Sequence, residues 1–205
     1  MKRTMQLVLA LSVVCMAVAA ISESAQAQKI DLAFGVSTIV APGPNACGSN
    51  CGNPFAPVSL SGGAYPGFSG DFIFWHNLGF GAEVFWRAAS SQNYLEAGSG
   101  VNFRPVFYNF NAVYSAKVAP HIAVELVGGI GASDTHFSES SIFGNSGVLS
   151  TSNHSDGDFG GGVKLYAHGG FFIRPEARFY IINNETNYSA NHATRVGASI
   201  GYTFK

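Results

Sequence analysis

Ten charged residues recur at alternating positions within segments that are otherwise apolar, where they could form ion pairs with one another. They are Asp31, Asp71, Glu83, Arg87, Glu125, Lys164, Arg174, Glu176, Arg178 and Arg195. Five are acidic and five are basic, so their charges can cancel. Because buried charges are tolerated when they are paired and hydrogen-bonded, this set predicts a network of ion pairs in a confined interior.

The sequence also suggests partners within this network. Arg174, Glu176 and Arg178 follow one another on one face of a segment. Glu83 is a natural partner for Arg87, and Glu125 can pair across neighbouring strands. Two interpretations stay open: a closed network that neutralises buried charge, or a gated and very narrow solute path. An equal number of positive and negative groups argues against strong ion selectivity in either case.

Cys47 and Cys51 form a second candidate site, in the segment Ala-Cys-Gly-Ser-Asn-Cys-Gly. In an exported chain an oxidising compartment favours a disulfide between them. A metal site would need further ligands that the neighbouring sequence does not show. Two free thiols are the third alternative.

Acidic and histidine residues cluster in a Ser- and Gly-rich region around 134–158. They are Asp134, His136, Glu139, His154, Asp156 and Asp158. Their spacing does not match a calcium-binding loop, so we predict a solvated loop rather than a cation site. We expect no metal and no cofactor.

A serine hydrolase would need a serine, a histidine and an acid held together. Candidate residues are abundant in the same region and beyond it: His136, Ser138, His154, Ser155 and His192. Their abundance is not a motif, and we predict no catalytic residue and no enzyme.

The elements that position these residues are strands. Eight segments carry apolar or aromatic residues at every second position, which is the period of a strand with two unlike faces. They fall at 30–40, 68–74, 78–88, 106–116, 122–132, 159–167, 171–181 and 196–204. Their length suits tilted membrane-spanning strands of about 9–11 residues. The ten charges above lie on the opposite face, and we expect either a bulge or a local break in pairing at Pro175.

The connections alternate between short and long. The short ones are 76–77, 118–120 and 168–170, and the long ones are 41–66, 90–103, 134–156 and 183–193. The remaining charges of the chain after residue 28 are expected at ends, turns and loops: Lys29, Glu96, Arg104, Lys117, Asp134, Glu139, Asp156, Asp158, Glu185 and Lys205. Alternation of this kind is typical of a bacterial transmembrane barrel with short periplasmic turns and long external loops.

Composition decides which face points outward. Only 11% of the 205 residues are charged, against about 25% in an ordinary soluble domain, which is too few to solvate an outer wall. The charged face is also rich in small glycines, and aromatic residues recur near strand ends, as at membrane interfaces. The formal net charge of −1 excludes a strongly basic nucleic-acid binder, so we expect no nucleic acid partner.

The N-terminus has the features of a signal peptide. Lys2 and Arg3 precede an apolar run from Leu7 to Ile21, and Ala25-Gln26-Ala27 forms a small-x-small cleavage site. The run is shorter than the roughly 20 residues of a spanning helix. We therefore predict a cleaved signal peptide at 1–27 and one all-β domain at 28–205, an eight-stranded antiparallel up-and-down transmembrane β-barrel.

The last strand carries alternating apolar residues and a near-terminal aromatic, followed by Lys205. The positions are Val196, Ala198, Ile200, Tyr202 and Phe204. With this strand, residues 29–205 resemble the small eight-stranded outer-membrane β-barrels of the OmpX, OmpA transmembrane-domain and opacity-protein type. The resemblance implies that these five residues form an assembly signal for the barrel-assembly machinery. It also implies location in the outer membrane of a Gram-negative cell, in contact with outer-membrane lipid.

Three functions remain for such a barrel. The first, which we favour, is a structural or surface-interaction role through four external loops, with an extracellular partner that the sequence does not identify. The second is a small porin-like channel for water or small solutes. The third is a loop-borne enzyme that acts on outer-leaflet lipid. Loops carry specificity of this kind, and these loops contain no readable motif.

Overall fold

The computed structural model describes residues 28–42, 59–89, 91–94, 100–139, 147–183, 188 and 190–205. The predicted signal peptide at 1–27 and the pair Cys47 and Cys51 lie outside these ranges. Within them, no helix has the length and hydropathy required to cross a bilayer.

The described chain consists of strands joined by turns. They are β1 (Lys29–Val40), β2 (Tyr65–Trp75), β3 (Leu78–Trp86), β4 (Ser91–Tyr94), β5 (Gly100–Ala119), β6 (Ile122–Glu139), β7 (Gly147–Tyr166), β8 (Phe171–Ile182) and β9 (His192–Phe204).

Every strand pairs antiparallel with its neighbours, and the sheet closes on itself. β1 pairs with β2 on one side and with β9 on the other, and β3 pairs with β5. The short β4 pairs with the first residues of β5, above the part that β3 covers, so β3 and β4 together occupy one position in the ring. The result is the eight-stranded antiparallel barrel that the sequence predicts, without a free sheet edge around its belt.

Three strands extend far beyond their predicted limits. β5 and β7 have 20 residues each and β6 has 18, and their pairing reaches Val101↔Glu139 and Glu139↔Gly147. Much of the predicted connections at 90–103 and 134–156 is therefore strand. Outside hydrocarbon a strand needs no apolar face, and the polarity of these stretches hid their extended structure from the sequence pattern.

The outer surface is apolar around the belt of the barrel. Leu32, Phe34, Phe110, Leu126 and Ile200 project outward, each at least 47% exposed. In the described strands, the charged residues Arg104 and Asp134 also lie on the outer face, but beyond the last exposed apolar residues of β5 and β6. The predicted orientation, with apolar residues outside and charges inside, is confirmed.

Turn chemistry explains one short connection. His76 and Asn77 both have positive φ angles, 42° and 72°, and they join β2 to β3 as a two-residue hairpin turn. Such turns match the right-handed twist of the flanking strands. These residues lie at the end of the barrel that carries the short connections, which we call the short-turn end; the opposite end is the long-loop end.

Pro175 leaves a gap in the sheet, as predicted. β8 pairs with β9 through Pro175↔Ala198, whereas its pairing with β7 stops at Glu176↔Gly162 and resumes at Ile173↔Leu165. The register is the same on both sides of the gap. A proline has no N–H to donate, so the ladder is interrupted here without a bulge.

Inward-facing glycines make room for the charged side chains. A Cβ added at Gly81 would lie 2.2 Å from Oδ1 of Asp71, and one at Gly131 would lie 2.3 Å from Nδ2 of Asn109. Real Cβ atoms do not approach so closely. The glycine-rich inner face therefore follows from the volume of the polar groups packed against it.

Leu126→Arg tests the assignment of the outer belt. We expect this change to lower the free energy of unfolding by about 2–4 kcal/mol, because it places a charge against hydrocarbon near the bilayer midplane. The matched control is His136→Arg, on the same strand and face but beyond the belt, with an expected loss of about 0–1 kcal/mol. Reversible urea unfolding in lipid vesicles measures both. Equal losses would contradict the assignment.

Candidate functional site

The interior of the barrel holds all ten charges singled out in the sequence. Nine of them are buried, and Glu176, with a side chain 11% exposed, nearly so. Side chains alternate between the two faces of a strand, so residues of one parity line the lumen on every strand. The charges gather in two clusters at different heights.

The Lys164 cluster lies toward the short-turn end and consists of Asp31, Asp71, Glu125, Lys164 and Arg174. The Lys164 ammonium lies 2.5 Å from Oδ2 of Asp31 and 3.8 Å from Oδ2 of Asp71, and it also contacts Glu125. The three carboxylates present oxygens within 4.8 Å of one another, a spacing that could hold a metal ion. Here the ammonium contacts all three and supplies the positive charge.

Arg174 links this cluster across the barrel. Its Nη1 lies 2.7 Å from Oε1 of Glu125 and 3.3 Å from Oδ2 of Asp71. Its Nη2 donates to Oγ of Ser69 at 2.7 Å, and its Nε donates to Oγ of Ser199 at 3.2 Å. The guanidinium on β8 thus contacts β2, β6 and β9 and is only 1% exposed.

The Glu83 cluster lies toward the long-loop end and consists of Glu83, Asp158, Glu176, Arg178 and Arg195. Arg195 Nη2 lies 2.9 Å from one oxygen of Glu83 and 2.9 Å from one oxygen of Glu176. Arg178 Nη1 lies 2.9 Å from the other oxygen of Glu83 and 3.3 Å from Asp158. Charge-assisted contacts of this kind are stronger than neutral hydrogen bonds.

Arg87 does not pair with Glu83, contrary to the sequence prediction. Its guanidinium lies over the rings of Phe103, at 5.3 Å, and Tyr65, at 5.9 Å, and donates to the backbone oxygen of Ser61 at 3.4 Å. Glu83 and Arg87 are four residues apart, but β3 ends between them at Trp86, and the side chain of Arg87 packs higher in the barrel.

Asp156 and Asp158 were expected in a loop but lie inside the barrel on β7, where both are buried. Asn109 Nδ2 donates to Asp156 at 2.6 Å and to Asp158 at 3.3 Å. With these two residues the acidic and basic groups deep in the interior number seven and five. The predicted balance of five against five is therefore wrong.

An apolar cluster lies above the charges at the long-loop end. It comprises Ile39, Leu60, Tyr65, Phe85, Phe107, Tyr180, Ile182, Tyr188 and Ala193. The rings of Phe85 and Phe107 stack at 4.6 Å, and Arg195 lies 4.2 Å from the centre of the Phe85 ring. Tyr180 joins the two layers, because its hydroxyl donates to Glu83 at 3.0 Å.

Sequence reasoning missed this apolar cap and the amide groups of the interior. The alternation along the strands could have revealed them, because Ile39, Phe85, Phe107 and Asn109 occupy inward-facing positions on their strands. We had expected apolar residues to face outward. The expectation fails where the strands rise above the belt, and lower in the barrel Ile73, Val113 and Val127 also pack inward.

The candidate cation-binding and hydrolase residues are dispersed. Asp134 and His136 lie on the outer face, 3.7 Å apart, whereas Asp156 and Asp158 point inward. His154 is buried and bonds Ser152 at 2.8 Å through Nε2 and the backbone oxygen of Asn183 at 2.9 Å through Nδ1. Ser155 and His192 are exposed. The side chains of Ser138 and Glu139 lie outside the described part of the chain.

Tyr188, in the connection between β8 and β9, fastens that connection to β6. Its hydroxyl contacts Thr135 and donates to Ser133 at 3.5 Å. Burial raises the pKa of this hydroxyl, while the hydrogen bonds with Ser133 and Thr135 lower it. The net shift is upward, so the tyrosine stays protonated at neutral pH and acts as a neutral bridge above the belt.

Solved structures share this architecture at low sequence identity. A major outer membrane protein from Thermus thermophilus gives a TM-score of 0.62 at 9% identity, covering 87% of this chain and 100% of that chain. Neisserial surface protein A (NspA) gives 0.51 at 14%, covering 86% and 97%. Ail, the attachment invasion locus protein of Yersinia pestis, solved with the heparin analogue sucrose octasulfate, gives 0.50 at 15%, also covering 86% and 97%.

No protein-family model matches the chain, and no curated protein is significantly similar to it in sequence. Because the sequence identities are below 25%, these structural similarities show a shared fold and nothing more. The antiparallel closure, the apolar belt and the charged interior agree with that statement. The chain thus has the fold of the small eight-stranded outer-membrane β-barrel proteins.

Proposed function

We propose that this chain is an integral protein of the bacterial outer membrane with a structural or surface-interaction role, not an enzyme, and that its lumen is closed. The short-turn end faces the periplasm and the long-loop end faces outward, in keeping with the usual arrangement of such barrels. The observation that carries the proposal is a barrel with an apolar belt outside and a filled, ion-paired interior.

Packing supports the closed lumen. An eight-stranded barrel is only just wide enough for side chains to fill. The cavity between the two charge clusters, lined by Glu83, Arg174, Glu176 and Arg195 among others, measures about 20 Å³. That volume holds about one water molecule. Above it, the stacked rings of Phe85 and Phe107 close the long-loop end.

The strands that rise above the belt support a surface role. β5, β6 and β7 pair well beyond the apolar zone and present Arg104, His136 and Asn153 on an exposed polar face. The Ail structure was solved with a heparin analogue and NspA is named a surface protein. We propose that the long-loop end of this chain likewise meets an external partner, through its connections and this raised sheet.

One observation favours a porin-like channel as the second candidate. Polar and charged groups run along the axis from Asp31 to Asp158, and two more acidic than basic groups line the deep interior. A rearranged network could pass water or small cations. The ion pairs would first have to separate, because the cavity between the two clusters is small.

Planar-bilayer recording separates these two candidates. We expect the purified mature chain to give no resolvable single-channel current, because side chains fill the barrel. Stepwise currents at low voltage would overturn the closed lumen and favour the channel. Recording a large porin in the same bilayers provides the positive control for insertion and sensitivity.

Arg174→Met tests whether the network holds the barrel together. We expect a loss of about 3–5 kcal/mol in the free energy of unfolding, because Asp71 and Glu125 would keep buried charges without this partner. The control is Arg104→Met, which removes an exposed guanidinium and its single bond to the backbone of Arg87, with an expected loss of about 1 kcal/mol or less. If Arg174→Met lost as little stability as the control, the ion pairs of Arg174 would be dispensable for the stability of the barrel.

Cysteine labelling tests the orientation in cells. In a background where Cys47 and Cys51 are serine, we expect a membrane-impermeant maleimide to label Asn153→Cys on intact cells. Val118→Cys, at the end of β5 beside its turn to β6, should be labelled only after the outer membrane is permeabilised. Both native residues are exposed, so access depends on the membrane side. The reverse pattern would overturn the orientation.

A further inference from the structure

We propose that the cavity at the short-turn end binds a phosphate group. This cavity measures about 450 Å³, within the range of ligand pockets. Lys29, Lys117 and Lys205 line it together with His121 and His168. Three lysines and two histidines thus line one concave space at the mouth of the barrel.

The register of the strands puts the lysines there. Lys29 begins β1, Lys117 lies near the end of β5 and Lys205 follows β9, and all three share the inward parity of the charges deeper in the lumen. The pairing Ile30↔Phe204, continued by one residue, sets Lys29 opposite Lys205. Like charges directly opposite one another across two strands repel, and an anion between them would relieve the repulsion.

Basic side chains outnumber acidic ones in the lining of the cavity, with three lysines against Asp31. Across the described chain, no side-chain carboxylate lies within 4 Å of the ammonium groups of Lys29, Lys117 or Lys205. Asp31 also lines the cavity; its Oδ2 is bound by Lys164 at 2.5 Å, whereas its buried Oδ1 has no hydrogen-bond partner among the described residues. The three outer lysines therefore have their charge available for a ligand.

The surrounding groups fit phosphate in particular. Lysine recognises phosphate as a compact charge with three donors. The hydroxyls of Tyr166 and Thr203 hydrogen-bond each other at 3.2 Å on one wall, which leaves one of their two protons to donate to a ligand, and the buried Ile73 and Ala123 add apolar surface. Deeper in the barrel, the carboxylates of the Lys164 cluster repel anions, so the ligand would stay at the mouth.

Two sources could supply the phosphate: a free phosphate compound in the periplasm, or the headgroup of a phospholipid in the inner leaflet of the outer membrane. The lipid source rests on the orientation proposed above, whereas binding of a soluble phosphate does not. The experiment below therefore has a soluble arm and a lipid arm.

In the soluble arm, the mature chain in phosphatidylcholine nanodiscs is titrated with pyrophosphate at low ionic strength by calorimetry. We expect saturable binding with one ligand per barrel. The double variant Lys29→Gln and Lys117→Gln should bind about tenfold more weakly or worse, because each ammonium in contact with a phosphate contributes Coulomb attraction. Arg104→Gln, an exposed cation at the other end of the barrel, should bind like the unmodified chain.

Absence of saturable binding, or unchanged binding by the double variant, would overturn the proposal. Lys117 is exposed and Lys29 is half-buried at the start of its strand, so the fold should survive, and heat-modifiable gel mobility checks this. Should the double variant fail to fold, each single variant is titrated in its place, with the same two outcomes.

In the lipid arm, the titration is repeated in nanodiscs that contain phosphatidylglycerol. Weaker pyrophosphate binding there, with the double variant insensitive to lipid, identifies a lipid headgroup as a competing ligand of the same site. Equal binding in both kinds of nanodisc identifies a soluble phosphate as the ligand.

Discussion

An ionised group cannot face hydrocarbon without a large loss of free energy, and this constraint governs the whole barrel. It confines the charges of the belt to one parity of each strand and brings them together inside. There they must neutralise one another, which is why Lys164 contacts three carboxylates and Arg195 bridges Glu83 and Glu176. Glycines such as Gly81 follow from the same constraint, because the interior has to hold these side chains in little space.

The sequence was sufficient for those features that local periodicity encodes. Strand number, the outward face and the ladder gap at Pro175 follow from alternation and from the missing proline donor, and the structure agrees with all three. The upper strand limits could not be predicted, because Asp156 and Asp158 lie in a polar stretch whose extended form depends on pairing with distant residues. The ion-pair partners inside the lumen could not be predicted either. Glu83 contacts Arg178 and Arg195 on strands that are not its neighbours, and the spacing of residues within one strand does not reveal such contacts.

The interior is organised in layers along its axis. Aromatic and aliphatic side chains fill the long-loop end, an acid-rich network occupies the middle, and lysines surround the opposite mouth. The apolar cap fills the end with the long connections, the ion pairs link strands across the span, and the lysine-lined cavity lies at the other mouth. A scaffold of this kind leaves the external connections free to vary while the span stays fixed.

The ion pairs of Arg174 and Arg195 also affect how the barrel assembles. Arg174 on β8 meets Asp71 on β2, and Arg195 on β9 meets Glu83 on β3, so both contacts join the two halves of the chain through the centre rather than along a sheet edge. An open sheet cannot make these two contacts, although Arg174 could already meet Glu125 and Arg195 could meet Glu176 within the last four strands. Closure of the ring and formation of these two ion pairs are therefore coupled, because both contacts require the first and last strands to have met.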